Sequence, residues 1–174
     1  MRQHWALRTD QARRDFIWRE LQDGRLRQGW GYRDDLDLVH LAALRAMGVR
    51  LPKYQQDAWR GNRRLLPTQP TSMQVGDLVV FLHVPRYGVW SIARVTGGYR
   101  FEISDTGNAV DGTLDYGHIR EVELLTDTRG IDPGAEGVSD SLRRSMRPPS
   151  RMWRIDDHAQ EIERLMAAGR GSRR

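Results

Sequence analysis

Two arginines, two glycines and two aromatics stand together in an expected loop, Arg25-Leu26-Arg27-Gln28-Gly29-Trp30-Gly31-Tyr32. No periodicity in this stretch would bury its rings together. Trp30 and Tyr32 are therefore candidates for stacking on a flat ligand, with Arg25 and Arg27 beside them to meet an anion. A second basic run, Arg60-Gly61-Asn62-Arg63-Arg64, follows directly on Trp59. It could contact phosphates, although a charge run is more often a solvated helix end. Arg86, in a Pro/Tyr/Gly loop, and the pair Arg143-Arg144 add further cations. Rings interleaved with guanidinium groups are what a nucleic-acid surface needs. Base stacking on an aromatic ring contributes about 1–3 kcal/mol per base, and the arginine fork matches phosphate and base edges.

The signals for catalysis are weaker. His4, His40, His83, His118 and His158 show no HxxxH or HxH spacing, so no helical zinc site is indicated. There is no phosphate-binding GxxxxGK[ST] loop and no GxSxG elbow. Lys53 is the only lysine and is remote in sequence from Asp77, Glu102, Glu121 and Glu123, which argues against a nuclease centre that sets lysine beside carboxylates. The absence of cysteine excludes disulfides, thiolate metal sites and cysteine nucleophiles. No catalytic residue, metal or cofactor is assigned. For a hydrolase, His118 with Asp105 or Asp115 is the one pairing the chain offers.

A chain of 174 residues with a net charge of +5 is read as one domain with a tail and an acidic partner. Arginine supplies nearly all of the positive charge, which a GC-rich genome also explains. No window approaches a membrane span, and the N-terminus lacks the apolar core of a signal peptide, so the expected location is cytoplasmic.

The elements that must carry these residues follow from patterning. His4–Arg8 reads as a strand and Gln11 to Asp23 as a helix, capped at Thr9 or Asp10, with Phe16, Ile17 and Leu21 inward. Helices are expected from Leu36 to Met47 and from Asp57 to Leu66. The segment Gln74–Ile103 reads as three strands of an antiparallel meander. Leu78–Phe81 comes first, a strand with Trp90, Ile92 and Val95 second, and Tyr99, Phe101 and Ile103 third, after a tight turn at Gly97-Gly98. His118 to Leu125 is the last strand. Thr126 to Gly137 looks like a linker, followed by a short helix over Ser139–Met146 and an amphipathic helix from Asp156 to Ala168. The expected division is a domain over 1–125 and a linker with a basic helical tail over 126–174. The tail arginines are expected to lie along DNA.

The opening WALR strand, the Gly-Trp-Gly loop after the first helix, the phrase MQVGDLVVF and the strands GVWSIARV and YRFEI together resemble the PUA-like superfamily. Within it they are similar to the EVE and YTH-type readers of modified bases. The resemblance covers Met1 to Leu125. It implies an α+β fold, a small curved antiparallel β-barrel flanked by helices, with a pocket for a flipped base. It also places a cage tryptophan at Trp30, with Tyr32 as a second candidate. The second wall should come from the loop after the Phe101 strand, where this chain has Tyr116 and His118 but no tryptophan. Trp90 alternates with apolar neighbours and fits the core, with the pocket mouth as its other place. Asp105 could accept from the exocyclic amine of a base. Asn62 and Ser91 are weaker edge-reading candidates. The implied function is recognition of a modified base, 5-methylcytosine or 5-hydroxymethylcytosine in double-stranded DNA. The backbone contacts would be Arg25, Arg27, Arg60, Arg63, Arg64, Arg86, Arg143 and Arg144. An RNA-binding protein or a hydrolase on modified nucleosides is the alternative. A nuclease partner, fused or separate, and a homodimer stay open.

Overall fold

The structure is a computed structural model and describes residues 2–105 and 114–171. Strand β1 (His4–Arg8) leads through a 3-10 turn into helix α1 (Arg14–Gln22), then β2 (Arg25–Gln28). Helices α2 (Leu38–Ala46) and α3 (Lys53–Asn62) follow, then β3 (Leu78–Leu82) and the long β4 (Trp90–Phe101). The two-residue strands β5 (Ser104–Asp105) and β6 (Leu114–Asp115) form a small ribbon ahead of β7 (His118–Leu124). The chain ends with α4 (Asp140–Ser145), β8 (Met152–Arg154) and α5 (Ala159–Gly171).

Six strands make one sheet in the order β2-β7-β4-β3-β1-β8. The architecture is α+β. The sheet is mixed, because β1 runs parallel to β3 while every other pair is antiparallel. It is also open, with β2 and β8 as its edges, where a closed antiparallel barrel was expected. Parallel pairing follows from connectivity. The helices between β1 and β3 carry the chain back to the end where β1 began, which an antiparallel hairpin turn would not do.

Both faces of the sheet are covered. Alternation sends Trp5, Leu7, Val79 and Phe81 to one face, where Phe16, Ile17 and Leu21 of α1 and Leu38 and Leu41 of α2 pack on them. Ala6, Leu78, Val80 and Leu82 point to the other face, onto Leu142, Met146, Ile155 and Ile162. This double burial is why β3 is apolar at every position instead of alternating.

Three expectations are corrected here. Gly97 and Gly98 do not turn the chain: they lie inside β4, where the register with β7 shifts between Val95 and Tyr99. A Cβ on Gly97 would fall 2.3 Å from Glu121 Oε2, so the glycine allows a bulge that bends one long strand. Second, Arg25–Gln28 is the edge strand β2, paired with β7, and not a loop. Third, the segment from Thr126 is no loose tail. Its β8 pairs with β1, and its helices close the second core. Turn-forming Gly, Pro and Asp residues between 126 and 137 hide that return from a local reading.

Candidate functional site

The chain leaves β2 through Gly29-Trp30-Gly31, and three hydrogen bonds fix that path. Trp30 takes a left-handed backbone conformation, φ +67°. Asn62 Nδ2 donates to the Gly29 carbonyl at 2.9 Å. Asp115 Oδ1 accepts from the Gly31 amide at 2.8 Å, and His118 Nε2 meets the Trp30 carbonyl at 3.1 Å. A Cβ on Gly31 would sit 2.6 Å from the Gly117 nitrogen, so only glycine lets β7 approach this closely.

His118 is the centre of a buried relay. A carbonyl can only accept, so Nε2 carries the proton toward Trp30 and Nδ1 accepts from the Tyr99 hydroxyl, 2.9 Å away. Tyr99 in turn accepts from the Leu38 amide at 3.1 Å. Burial pushes the His118 imidazole down to about 4, so it stays neutral. The relay ties α2, β4 and β7 to the Trp30 backbone.

Above this frame lies a cleft of about 280 Å³. Its walls come from the end of β1 (Leu7, Arg8, Thr9), Asp10, Ile17 of α1, Arg27 and Gln28 of β2, Gly29, Trp30, Asp115, Tyr116 and Arg151. The Tyr116 ring stands edge-on to Phe16 at 5.4 Å, and burial, with Asp10 and Asp115 nearby, pushes its phenol up to about 12. It therefore remains an O–H donor at neutral pH. The Thr9 hydroxyl is buried and has no hydrogen-bond partner among the described residues. The cleft thus combines two rings, a phenol, a free hydroxyl, a buried amide at Gln28 and two carboxylates.

A second groove, of about 460 Å³, meets the cleft at Trp30 and Arg151. Arg60, Arg63 and Arg64 border it with Pro149 and Ser150. None of these three arginines forms an ion pair within the described residues, whereas Asp57 at the same rim is engaged by Lys53 at 2.8 Å. The Trp30 ring divides the two hollows. A Cβ on Gly61 of α3 would lie 2.5 Å from Trp30 Cζ3, so the indole rests on the bare helix backbone there. The Arg151 guanidinium stands over the ring, 3.8 Å from its centroid.

A protein-family model for a domain of unknown function, DUF8426, matches residues 5–142. The chain belongs to the DUF8426 family. The matched DUF8426 region carries Trp30, Tyr116, Asp10, Asp115 and the Arg60–Arg64 run, while Arg151 and β8 lie past its end. No curated protein matched the chain. A solved structure similar to this DUF8426 member is protein Atu2648 from Agrobacterium tumefaciens, with 14% sequence identity over 96% of this chain and 92% of that one. The TM-score is 0.38, and a likeness of that size carries no argument.

Of the residues singled out in the sequence, Trp30, Tyr116 and Arg27 share the cleft, and Arg60, Arg63 and Arg64 share the adjoining groove. The others are placed elsewhere. Trp90 is buried on the opposite face of the sheet with Val138 and Leu142, because alternation in β4 points it away from the cleft. Tyr32 is exposed and lines neither hollow. His118 is buried beneath the cleft, both ring nitrogens committed, so it supplies neither a pocket wall nor a hydrolytic base. Asp105 ends β5, and its side chain lies outside the described residues.

The arginines sort the same way. Arg27 is buried, with Nε on Glu20 at 2.5 Å and a second donor on the Glu102 and Tyr116 carbonyls. Arg25 is held by Glu20 and Asp23. Both therefore brace the sheet edge. Burial alone would raise the Glu20 carboxyl, but these two arginines hold it below its usual range. Arg143 is tied to Asp140 and the Pro133 carbonyl. Arg144 is exposed on α4 and Arg86 lies in the β3–β4 loop, and neither lines the cleft or its groove. Asn62 and Ser91 are buried and donate to backbone carbonyls.

Two contributors escaped the sequence reading. Thr9 was seen only as a helix cap, and Arg151 only as one of several tail arginines. No local signal marks either, since each reaches the cleft through long-range pairing of β1.

Among the described residues no helix is long and apolar enough to cross a membrane, and no three His, Cys, Asp or Glu side chains stand together as metal ligands.

Proposed function

We propose that this chain is a nucleic-acid-binding module of the PUA-like, EVE type that takes a modified base, 5-methyl- or 5-hydroxymethylcytosine in DNA, into the cleft beside Trp30. One observation carries the reading. A ring-lined cleft with acceptors and donors opens, at Trp30, directly into a groove bordered by arginines that have no ion-pair partners within the described residues. A nucleobase needs the first and its flanking phosphates the second.

The chemistry of the cleft suits a cytosine. An exocyclic amine donates to a carboxylate, here Asp10 or Asp115, while the Thr9 hydroxyl and Tyr116 phenol can donate to ring acceptors. Extruding a base costs a few kcal/mol, and stacking returns about 1–3 kcal/mol for each ring engaged. A methyl group adds only about 0.8 kcal/mol by burial, so discrimination depends on how closely the walls fit it. Small-molecule sites run from about 300 to 1,000 Å³. The 280 Å³ cleft lies just below that range and suits a single base.

The test is fluorescence-polarisation binding near physiological salt to matched oligonucleotides: plain, 5-methylcytosine, 5-hydroxymethylcytosine and N6-methyladenine, single- and double-stranded, DNA and RNA. The expected result is selective tightening on one modified ligand, lost by about fivefold to a hundredfold in Trp30→Ala. Equal binding to all, unchanged in Trp30→Ala, overturns it.

A further inference from the structure

We infer that Arg151 occupies the stacking face of Trp30 until a phosphate draws it away, so that the site selects a base carried on a nucleotide over the free nucleoside. This rests on the base-binding reading above and specifies the ligand class for the same cleft.

Gly61 meets the edge of the indole and seats it, since a Cβ there would lie 2.5 Å from Cζ3 and 2.7 Å from Cε3 but 3.8 Å from Cη2. One face of the ring is covered by the Arg151 guanidinium at 3.8 Å, inside the range of a cation–π contact. Trp30 and Arg151 together line both hollows. A ligand ring that stacks on this face must take the place of that guanidinium.

Arg151 is placed to move without the fold moving. Its carbonyl is held by the Arg8 amide at 2.8 Å, and Arg8 Nη2 also donates to the Pro148 carbonyl at 2.6 Å. The backbone is therefore pinned to β1. The side chain is exposed, forms no ion pair in the described residues and lines both hollows. A swing of the side chain alone carries its charge from the Trp30 face into the groove of Arg60, Arg63 and Arg64.

The two positions have different preferences. Over Trp30 the guanidinium gains a contact that, at an exposed site, changes an equilibrium by roughly two- to fivefold. In the groove it joins three like charges, which is unfavourable until an anion arrives. A phosphate there supplies a bidentate partner and removes the repulsion. A nucleoside has to displace Arg151 with no such compensation, whereas a nucleotide provides it.

Arg151→Ala separates this from a merely structural role. The chain has six tryptophans, so six indole cross-peaks are expected in a 15N–1H spectrum, with Trp30 assigned by its loss in Trp30→Phe. Titrating pyrophosphate at constant ionic strength should shift the Trp30 peak in the wild type and leave it in place in Arg151→Ala. A peak that stays fixed in the wild type, or moves equally in both, overturns the proposal whatever the base preference. The second arm measures 5-methyl-2′-deoxycytidine and its 5′- and 3′-monophosphates. Arg151→Ala should bind the nucleoside about two- to fivefold more tightly and lose most of the gain from either phosphate. Equal weakening of all three overturns it. Movement of the Trp30 peak with no binding of nucleoside or nucleotide would instead reject the base-binding reading and keep the Arg151 exchange.

Discussion

The Trp5 indole nitrogen donates to Asp77 Oδ2 at 3.0 Å, joining the middle of the first strand to the turn that opens the third. Asp77 is almost wholly buried and also accepts from the Gln3 and Gln74 amides, each at 2.8 Å. One carboxylate thereby satisfies three donors and sets the parallel register of β1 on β3, His4 opposite Leu78. Asp77→Ala strands all three donors. It should lower stability by about 3 kcal/mol or more, read as a fall in the urea midpoint. A midpoint within experimental scatter of wild type would reject the role.

Arg120 is fully buried and has no carboxylate in contact among the described residues; it donates to the carbonyls of Leu65, Met73 and Gly97. Burial pulls its guanidinium down to about 10, which leaves it charged at neutral pH. It clamps the 3-10 turn after α3 and the chain before β3 onto the β4 bulge. Arg120→Ala should destabilise by about 3–5 kcal/mol, because three carbonyls lose their donors. Hydrogen exchange should show the loss concentrated near Leu65, Met73 and Gly97.

His118 predicts an acid-side weakness. Its native value is pushed from 6.5 down to about 4 by burial, so between those values the unfolded chain binds a proton that the folded chain refuses. Stability should fall as pH drops from 6.5 toward 4, by about 3 kcal/mol from this group, and gain nothing from it above 6.5. His4 and His83 are lowered in the same direction, so the measurement is a difference. Denaturant unfolding of wild type and His118→Gln from pH 7 to 4 should show a shallower pH slope in the variant. Parallel slopes would exclude His118 as a source.

Gly61→Ala should disturb the site and spare the fold. The new methyl would meet the rigid Trp30 ring at 2.5 Å, so the indole must leave its seat. Alanine meanwhile favours the α3 helix by up to about 1 kcal/mol. Thermal stability should change little while oligonucleotide affinity drops severalfold. Unchanged affinity would show that Trp30 does not form the binding wall.

Deleting the chain from Gly137 should abolish folding and not merely trim a DNA-binding arm. The deletion removes Leu142, Met146, Ile155 and Ile162 from the second core and strips β8 from β1. Each large buried side chain contributes about 2–5 kcal/mol, against a total stability of about 5–15 kcal/mol. Loss of dispersed amide resonances is the expected outcome; a folded remnant with a lower salt slope would restore the tail reading.

What the sequence determined by itself was local. The Asp10 cap starts the 3-10 turn that leads into α1, the Phe16, Ile17, Leu21 spacing gives that helix its inner face, and the unbroken Leu78–Leu82 run announces a strand. Trp30 stood out because glycines flank it and arginines precede it. These signals depend on residues a few positions apart, whose capping, period and turn chemistry act before the chain has folded.

Only the tertiary structure decided the rest, because it depends on which group ends up opposite. His118, Arg27, Asn62 and Ser91 all had ligand-reading chemistry, but each meets a backbone carbonyl that only the folded chain brings there. Trp90 differs from Trp30 by the face to which alternation turns it. The parallel β1–β3 pair, the bulge that makes one strand of two and the return of β8 to β1 are pairings across long loops, and periodicity does not encode them. The meeting of Arg151 with Trp30 depends on that last pairing, since β8 delivers the arginine to a ring set by β2 and α3.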